Sequence, residues 1–459
     1  MLITTALHGV QIMRAIILLL TGFMLSACGG GGSNGGNTPA PVNICQRNDI
    51  NAQVYCALQQ DYLWYRDLPA SINPDNYASP EALLQAVAAP QDRYSFILTA
   101  EEYQDRYINA TFFGFGFSSV RADNDSALQI AFVYDDGSAA QNGLRRGDKI
   151  TEIEGVSVSQ WLSRLDAGAI SSEDIYGPNE AGVMRSFVWT KPDTTQLSAN
   201  FVKSEVTTNT VLHASVAIDG DKRIGYLVFN SFIELSETEL EQAFAEFAAQ
   251  GINELVLDLR YNGGGLLALA GQLGYMVTGP DIIQGRYFER LQFNDKYPNT
   301  NPITGDSLSP TPFYSREINY ETGTLTNTTL PSLNLSRIYV LTTENTCSAS
   351  EAFMNGLRGI DVEVIQIGGK TCGKPYGFYP TDNCGTTYFS IQFSGINYKG
   401  FGDYPDGFNP TNSPVFAADV KGCPVTDDFT KALGDPEEDM LEVALHYVDN
   451  NSCLALPGS

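Results

Sequence analysis

The chain has 459 residues, 43% apolar and 11% aromatic, enough to bury cores in two or three domains. Acidic residues outnumber basic ones 53 to 27, a formal net charge of −26, which argues against nucleic acid and anionic lipid headgroups as partners. Eight cysteines fit an exported protein, and only three histidines are available for chemistry.

The segment Met13 to Cys28 has one cation, Arg14, then a short apolar core, then small residues before Cys28. The apolar part is too short to span a bilayer, so it reads as an export signal, with Met13 as an alternative start. Leu25-Ser26-Ala27-Cys28 matches the lipobox of bacterial lipoproteins, and lipidation would make Cys28 the mature N-terminus. The alternative is a plain secretory signal that ends in cysteine. Residues 29–41 hold only Gly, Ser, Asn, Thr, Ala and Pro, a flexible tether. Gly29 rather than an aspartate after the cysteine favours outer-membrane anchoring, on the periplasmic face or the cell surface.

Seven cysteines remain: Cys45, Cys56, Cys347, Cys372, Cys384, Cys423 and Cys453. An odd number leaves at least one free or paired between chains. Cys45 and Cys56 flank a short turn and are expected to pair, and Cys372 and Cys384 could pin the turn between them. Spacing alone does not fix the connectivity. Cys-x-x-Cys spacing is absent, so disulfides are favoured over zinc, and no metal or cofactor is expected.

Residues 42–108 read as helical. Ser79-Pro80 is an N-cap followed by a proline at the first helical position, and Thr99-Ala100-Glu101-Glu102 is a capping box. Residues 109–204 then carry Gly114-Phe115-Gly116-Phe117 and, further on, Gly143-Leu144-Arg145-Arg146-Gly147-Asp148. Together they resemble a PDZ domain. The resemblance implies that the N–H groups of Gly114, Phe115, Gly116 and Phe117 hold the free C-terminal carboxylate of a peptide, which adds as an extra strand. The first motif by itself would fit an ordinary hairpin.

Residues 205–450 turn to an α/β pattern. Strand-like runs at Ile224 to Phe229 and Leu255 to Leu259 enclose a helical stripe of Leu240, Ala243, Phe244 and Phe247 behind the capping box Ser236-Glu237-Thr238-Glu239. Such alternation implies a parallel sheet with crossovers. Asp258-Leu259-Arg260-Tyr261-Asn262-Gly263-Gly264-Gly265 follows, whose glycines allow close backbone approach. Residues 279–336 are rich in Asn, Thr and Pro with few periodic stretches, and read as an insertion beside the site that could cover substrate. Residues 434–450 read as a closing helix.

The chemistry concentrates at Thr346-Cys347-Ser348-Ala349-Ser350-Glu351 and Gly369-Lys370-Thr371-Cys372-Gly373-Lys374. Ser348 sits where an apolar strand, Ile338 to Leu341, turns into a helix whose free N–H groups can face an oxyanion. Lys374 lies in a Gly-rich turn after a second apolar run, Val362 to Ile367, so adjacent parallel strands would bring both turns to one sheet edge. A serine needs a base. His8 falls in the signal, and neither His213 nor His446 has a motif around it, so a Ser-His-Asp triad is unsupported. A desolvated lysine can do the same work. Spacing alone would equally fit a small-residue helix start and a surface lysine.

These two motifs resemble the serine–lysine signature of the carboxyl-terminal processing, or tail-specific, proteases of the S41 peptidase group. The resemblance implies an α/β, crotonase-like ββα core with a PDZ domain and a small N-terminal helical domain. It implies that Ser348 is the nucleophile and Lys374 the general base. The glycine motif resembles the family's Asp-Leu-Arg-Asn-Asn-Pro-Gly-Gly, with Gly263 where proline is usual, and makes Gly264 and Ala349 the candidate oxyanion-hole donors. Asp92-Arg93-Tyr94-Ser95 resembles the family's Asp-Pro-Tyr-Ser segment and reads as part of a small helical support with no chemistry of its own. The family's glutamine four residues after the lysine is Phe378 here, so Glu351 or a backbone carbonyl would have to hold Lys374. The function implied is a serine endopeptidase acting on exported proteins or peptides with free C-termini. The alternatives are a non-catalytic PDZ-containing peptide-binding protein on the same fold and, more remotely, an acyl-transfer enzyme on a crotonase-like core.

Overall fold

The computed structural model describes residues 44–47, 49–103, 111–207, 209–383 and 385–456. The signal, the tether, Cys28 and Cys384 lie outside them.

Near the N-terminus, α1 (Ile50–Asp61) is capped by Asp49, whose carboxylate accepts the Ala52 N–H at 2.8 Å. Helix α2 (Pro80–Val87) starts on Ser79 and Pro80, as the sequence indicates. Val54, Leu58, Leu83 and Val87 from these helices pack with Tyr388 and Ile391 from much later in the chain. The Thr99–Glu102 capping box forms in both directions. The region is not purely helical: Phe96–Thr99 pairs antiparallel with Thr386–Phe389. Four residues of strand draw their pairing from a distant partner, which local periodicity cannot show.

The next unit is a sheet with the order β1 (Phe117–Ala122), β2 (Ala127–Val133), β3 (Lys149–Ile153), β4 (Met184–Thr190), β5 (Gln196–Val202), with a short strand, Val156–Ser157, against β3. Helix α3 (Val158–Asp166) closes it over Phe115, Ile130, Ile150, Trp161, Phe187 and Phe201. Strand β1 is at the sheet's edge.

The largest sheet has seven strands in the order β6 (Val211–Asp219), β7 (Lys222–Phe229), β8 (Glu254–Asp258), β9 (Arg337–Thr342), β10 (Glu363–Gly368), β12 (Asp419–Pro424), β11 (Asn409–Thr411). All neighbours from β7 onward are parallel, and only β6 runs against them. Alternate side chains separate two cores. Leu227, Leu257 and Val340 face α4 (Ser236–Gln250), α5 (Leu267–Ile283) and α6 (Ala349–Gly359). Tyr226, Val256, Tyr339 and Ile365 face α7 (Asp439–Asn450). Burial on both faces is what makes these strands continuous apolar runs. Strands β8, β9 and β10 end side by side, so the turns after them share one sheet edge.

The 279–336 stretch holds more structure than its composition suggests. Arg290–Phe293 joins Phe393–Ile396 and Tyr376–Gly377 in a small sheet, and Arg316–Asn319 forms a hairpin with Thr324–Thr329. Among the described residues three disulfides join Cys45–Cys56, Cys347–Cys372 and Cys423–Cys453. The first was expected. Cys372 pairs with Cys347 and not with Cys384, because parallel neighbours β9 and β10 place their following turns together.

Candidate active site

Ser348 follows β9 and immediately precedes α6, with φ +57° and ψ −113°. A non-glycine residue holds such a conformation only where its surroundings impose it, and a strand-turn-helix nucleophile is a recurrent case. Here the turn is fastened from both sides. The Cys347 N–H and the Ser350 hydroxyl both donate to the Asn262 carbonyl at 3.0 Å. The Thr346 hydroxyl donates to the Leu259 carbonyl at 2.8 Å. Gly264, at φ +99°, completes the arrangement: a Cβ there would lie 2.7 Å from Ser348 Cβ and 2.8 Å from Ala349 N. Only glycine allows that approach.

The two expected oxyanion donors differ in availability. The Ala349 N–H, at the first position of α6, has no acceptor among the described residues. The Gly264 N–H is already engaged, donating to Asn262 Oδ1 at 2.9 Å. It could serve an oxyanion only by sharing that hydrogen.

Glu351, one turn into α6 and fully buried, joins the serine turn to the lysine turn. Its Oε2 accepts the Ser348 N–H at 3.0 Å and the Lys374 N–H at 2.8 Å; Oε1 accepts the Thr371 hydroxyl at 2.6 Å and the Gly373 N–H at 2.8 Å. Burial raises its pKa, against the opposing pull of those hydrogen bonds. The Cys347–Cys372 disulfide crosses the same gap. Cys347, Glu351 and Cys372 form a trio of potential metal ligands, but its two sulfurs are bonded to each other.

The Lys374 ammonium lies 4.5 Å from the centroid of Phe378 and 5.5 Å from that of Tyr94. Burial lowers its pKa to about 8, while Asp92 and Glu351 pull it back upward. Glu351 therefore holds Lys374 through the backbone and through its charge, and among the described residues no side-chain hydrogen bond takes the place of the family's glutamine. The Phe378 ring presents apolar surface to the ammonium instead.

The Asp92–Ser95 segment, read from sequence as mere support, turns out to shape this turn. Asp92 accepts from Tyr62, the backbone of Tyr94 and Ser95, and the Ser95 hydroxyl. Tyr94 in turn donates to the Gly373 carbonyl at 2.6 Å, and Arg93 to the Pro405 carbonyl at 3.0 Å. Its signal was the Asp-Arg-Tyr-Ser motif itself.

The charged residues before the glycines were also missed. Arg260 is fully buried and meets Asp258 at 2.8 Å, Asp427 at 2.7 Å and Glu438 at 2.6 Å. Asp427 also pairs at 2.8 Å with Arg146, in the turn before β3, and accepts from the Tyr261 hydroxyl. A buried cation surrounded by carboxylates fixes the turn that carries Gly264 and ties the β1–β5 unit to it.

In the PDZ-like loop, Phe115 belongs to the domain core, its ring 5.1 Å from that of Phe187. Gly116, at φ +81°, packs directly on the Gly137 backbone. The N–H groups of Phe115 and Gly116 have no acceptor among the described residues. Ser118, Ser119 and Val120 of edge strand β1 line one cavity of about 880 Å³ together with Ser348, Lys374 and Gly264. The 279–336 stretch supplies further wall, including Glu289, Asn301 and Tyr314. His213 sits on β6 beside Ser215, and His446 on α7 beside Asn450, neither of them on the cavity wall.

Comparison with known proteins agrees with this architecture. The model for Peptidase family S41 matches residues 223–378, that for the Peptidase S41 N-terminal domain residues 49–96, and that for the PDZ domain residues 108–170. Carboxy-terminal processing protease CtpB of Bacillus subtilis (strain 168) is 26% identical over 235 residues, 49% of this chain and 46% of the relative. C-terminal processing peptidase, chloroplastic, of Tetradesmus obliquus is 28% identical over 150 residues, 31% of this chain and 32% of the relative. The chain thus spans half or less of the length of these two relatives. A crystal structure of an S41-type protein from Bacteroides fragilis NCTC 9343 superposes with a TM-score of 0.64 at 24% identity, covering 87% of this chain and 97% of that one, which establishes the shared fold.

Proposed function

The chain belongs to peptidase family S41, and from that premise we propose that it is a serine endopeptidase with a Ser348–Lys374 dyad, acting on exported proteins or peptides with free C-termini. The observation that carries the reading is one cavity bordered by a strained serine at a helix N-terminus and by a desolvated lysine with a pKa near 8.

In the proposed reaction Ser348 Oγ attacks the peptide carbonyl carbon while Lys374 Nζ takes the hydroxyl proton. The carbonyl oxygen becomes an oxyanion facing the Ala349 N–H, with the Gly264 N–H shared between it and Asn262. Lys374 then gives the proton to the departing amine. Water, activated by the neutral lysine, hydrolyses the acyl-enzyme. The residues need no metal or cofactor for these steps. Edge strand β1, bordering the same cavity, offers a place for a substrate strand whose carboxylate meets the Phe115 and Gly116 N–H groups. Three disulfides suit an oxidising compartment outside the cytoplasm. Cys28 lipidation, with outer-membrane anchoring, belongs to the same proposal.

Ser348→Ala and Lys374→Ala should each abolish cleavage of an unstructured protein such as casein without unfolding the chain. Only neutral Lys374 can accept the serine proton, so kcat/KM of the wild type should rise with pH through a limb near 8. Near-normal turnover by Lys374→Ala would sink the dyad, and a folded wild type that binds peptides without cleaving any would favour the non-catalytic reading.

A further inference from the structure

Glu289 lies at the end of the insertion strand Arg290–Phe293, on the wall of the cavity that contains Ser348. It is only 6% exposed. Its backbone is satisfied by Thr311, donating to the Thr311 carbonyl and accepting from the Thr311 N–H. Its carboxyl is not: among the described residues it has no hydrogen-bond donor and no cation, and Oε1 is wholly buried without a partner. A group in that condition normally carries a heavy penalty. The fold nevertheless makes room for it. A Cβ at Gly395, on the facing strand, would collide with Glu289 Oε2, so glycine there leaves the space the carboxyl occupies.

The surroundings indicate which ligand would relieve it. Tyr314, Phe393 and Tyr404 give the cavity wall aromatic surface on which an aliphatic stem can lie. Among the described residues the ionisable carboxyls on that wall are Glu234, Glu289 and Asp306, against one cation, Lys374. Asp306 Oδ2 is likewise buried without a partner. The whole chain carries −26, a field that draws in basic peptide segments. We propose that Glu289 is the floor of a side-chain subsite that takes a lysine or arginine of the substrate, a reading that rests on the peptidase function proposed above. The ligand's cation would pair with the orphan carboxylate, and its stem would cover the aromatic wall.

Burial raises the Glu289 pKa to about 8, and no cation among the described residues opposes it. The other titratable groups within its field are Tyr314, Tyr379 and Tyr404, all held above the ordinary phenol value by burial and so neutral in the working range. Below pH 8 the empty subsite therefore holds a neutral acid, and above it a carboxylate. A lysine substrate keeps its charge throughout, with an ordinary pKa of about 10.4. Its advantage over a neutral substrate should grow between pH 6 and 9, and the titration of Lys374 cancels because it affects both substrates alike.

The test is a peptide series on one cleavable backbone, with lysine, norleucine or glutamine placed in turn at each position around the scissile bond. At one position lysine should exceed norleucine by about tenfold in kcat/KM, a difference of roughly 1.4 kcal/mol. In Glu289→Gln the ratio should fall to within about twofold and lose its pH dependence, lysine cleavage falling far more than norleucine cleavage. Should that variant fail to fold, the pH dependence of the ratio in the wild type stands as the measurement. Cleavage without any lysine preference, or with a preference untouched by Glu289→Gln, would overturn the subsite and leave the peptidase reading intact. A preference for glutamine over lysine that depends on Glu289 would overturn the cationic ligand. No cleavage of any peptide by wild type, as by Ser348→Ala, would overturn the peptidase reading first.

Discussion

Glu351 and Glu289 are both buried, and Tyr404 lies within the field of both, yet their company could hardly differ more. Glu351 accepts four hydrogen bonds, two on each oxygen, from the two turns that carry Ser348 and Lys374. Glu289 accepts none from the described residues. Burial by itself therefore says little about a carboxyl's purpose. A carboxyl ringed by donors from separate segments is a fastener, and removing it breaks geometry. A carboxyl left alone on a cavity wall lowers stability unless something else binds there, and removing it should cost the fold little.

Glu351→Gln tests that contrast with the largest expected effect. One carboxamide oxygen can still accept two N–H or O–H groups, but the amide NH₂ must face the other two donors. Leaving two buried donors unpaired should destabilise the protein by about 2–6 kcal/mol in urea titrations, at roughly 1–3 kcal/mol each. Turnover should fall at least about a hundredfold, since both turns lose their common anchor. Glu289→Gln should stay within about 1 kcal/mol of wild type in the same titration. Equal destabilisation by the two variants would erase the distinction between them.

The lysine supplies a second contrast, between a group that suits the fold and one that suits the reaction. Its pKa falls from 10.5 to about 8, which corresponds to roughly 3 kcal/mol between folded and unfolded states. The sign follows from where the proton is held. Between about 8 and 10.5 the unfolded chain binds it and the folded one does not, so stability rises with pH through that window. Below it the folded state carries the full penalty of a buried cation. Lys374→Met should thus be inactive yet more stable than wild type at pH 7, by up to about 3 kcal/mol, and the gain should fade toward pH 10.5. An inactive variant of unchanged stability would mean that the ammonium is better solvated than its two aromatic neighbours suggest.

How far the sequence reaches can be judged on the same residues. Apolar runs marked β7, β8, β9 and β10, and their parallel order alone brought Ser348 and Lys374 to one edge. The caps at Ser79 and Thr99 were readable because they are local. What escaped was non-local. Glu351 could be suspected of holding Lys374, but the four donors it collects come from three positions after β10 and one before α6. Arg260 looked like a flank to glycines, and only the folded chain brings Glu438 and Asp427 to it from about 170 residues away. Glu289 sits in a segment with no periodicity to read, and its isolation is a property of its neighbours. Cys347 lacked a visible partner because proximity in adjacent turns leaves no mark on spacing.

That disulfide supplies the finest test of the fastener, because Cys347–Cys372 and Glu351 bridge the same two turns. If the carboxylate sets the geometry, the covalent bond is a reinforcement that mainly limits the unfolded chain. The double variant Cys347→Ser, Cys372→Ser should then be less stable but keep the proposed dyad in register, with kcat reduced no more than about threefold, under 1 kcal/mol of barrier. The single variants are poorer probes, since each leaves a free thiol beside Glu351. Comparing the double variant in the Glu351→Gln background with each parent separates the two bridges. Additive losses would mean that they act independently. A loss of more than tenfold in kcat from the serine pair alone, at a temperature where it is fully folded, would transfer the positioning role from the carboxylate to the disulfide.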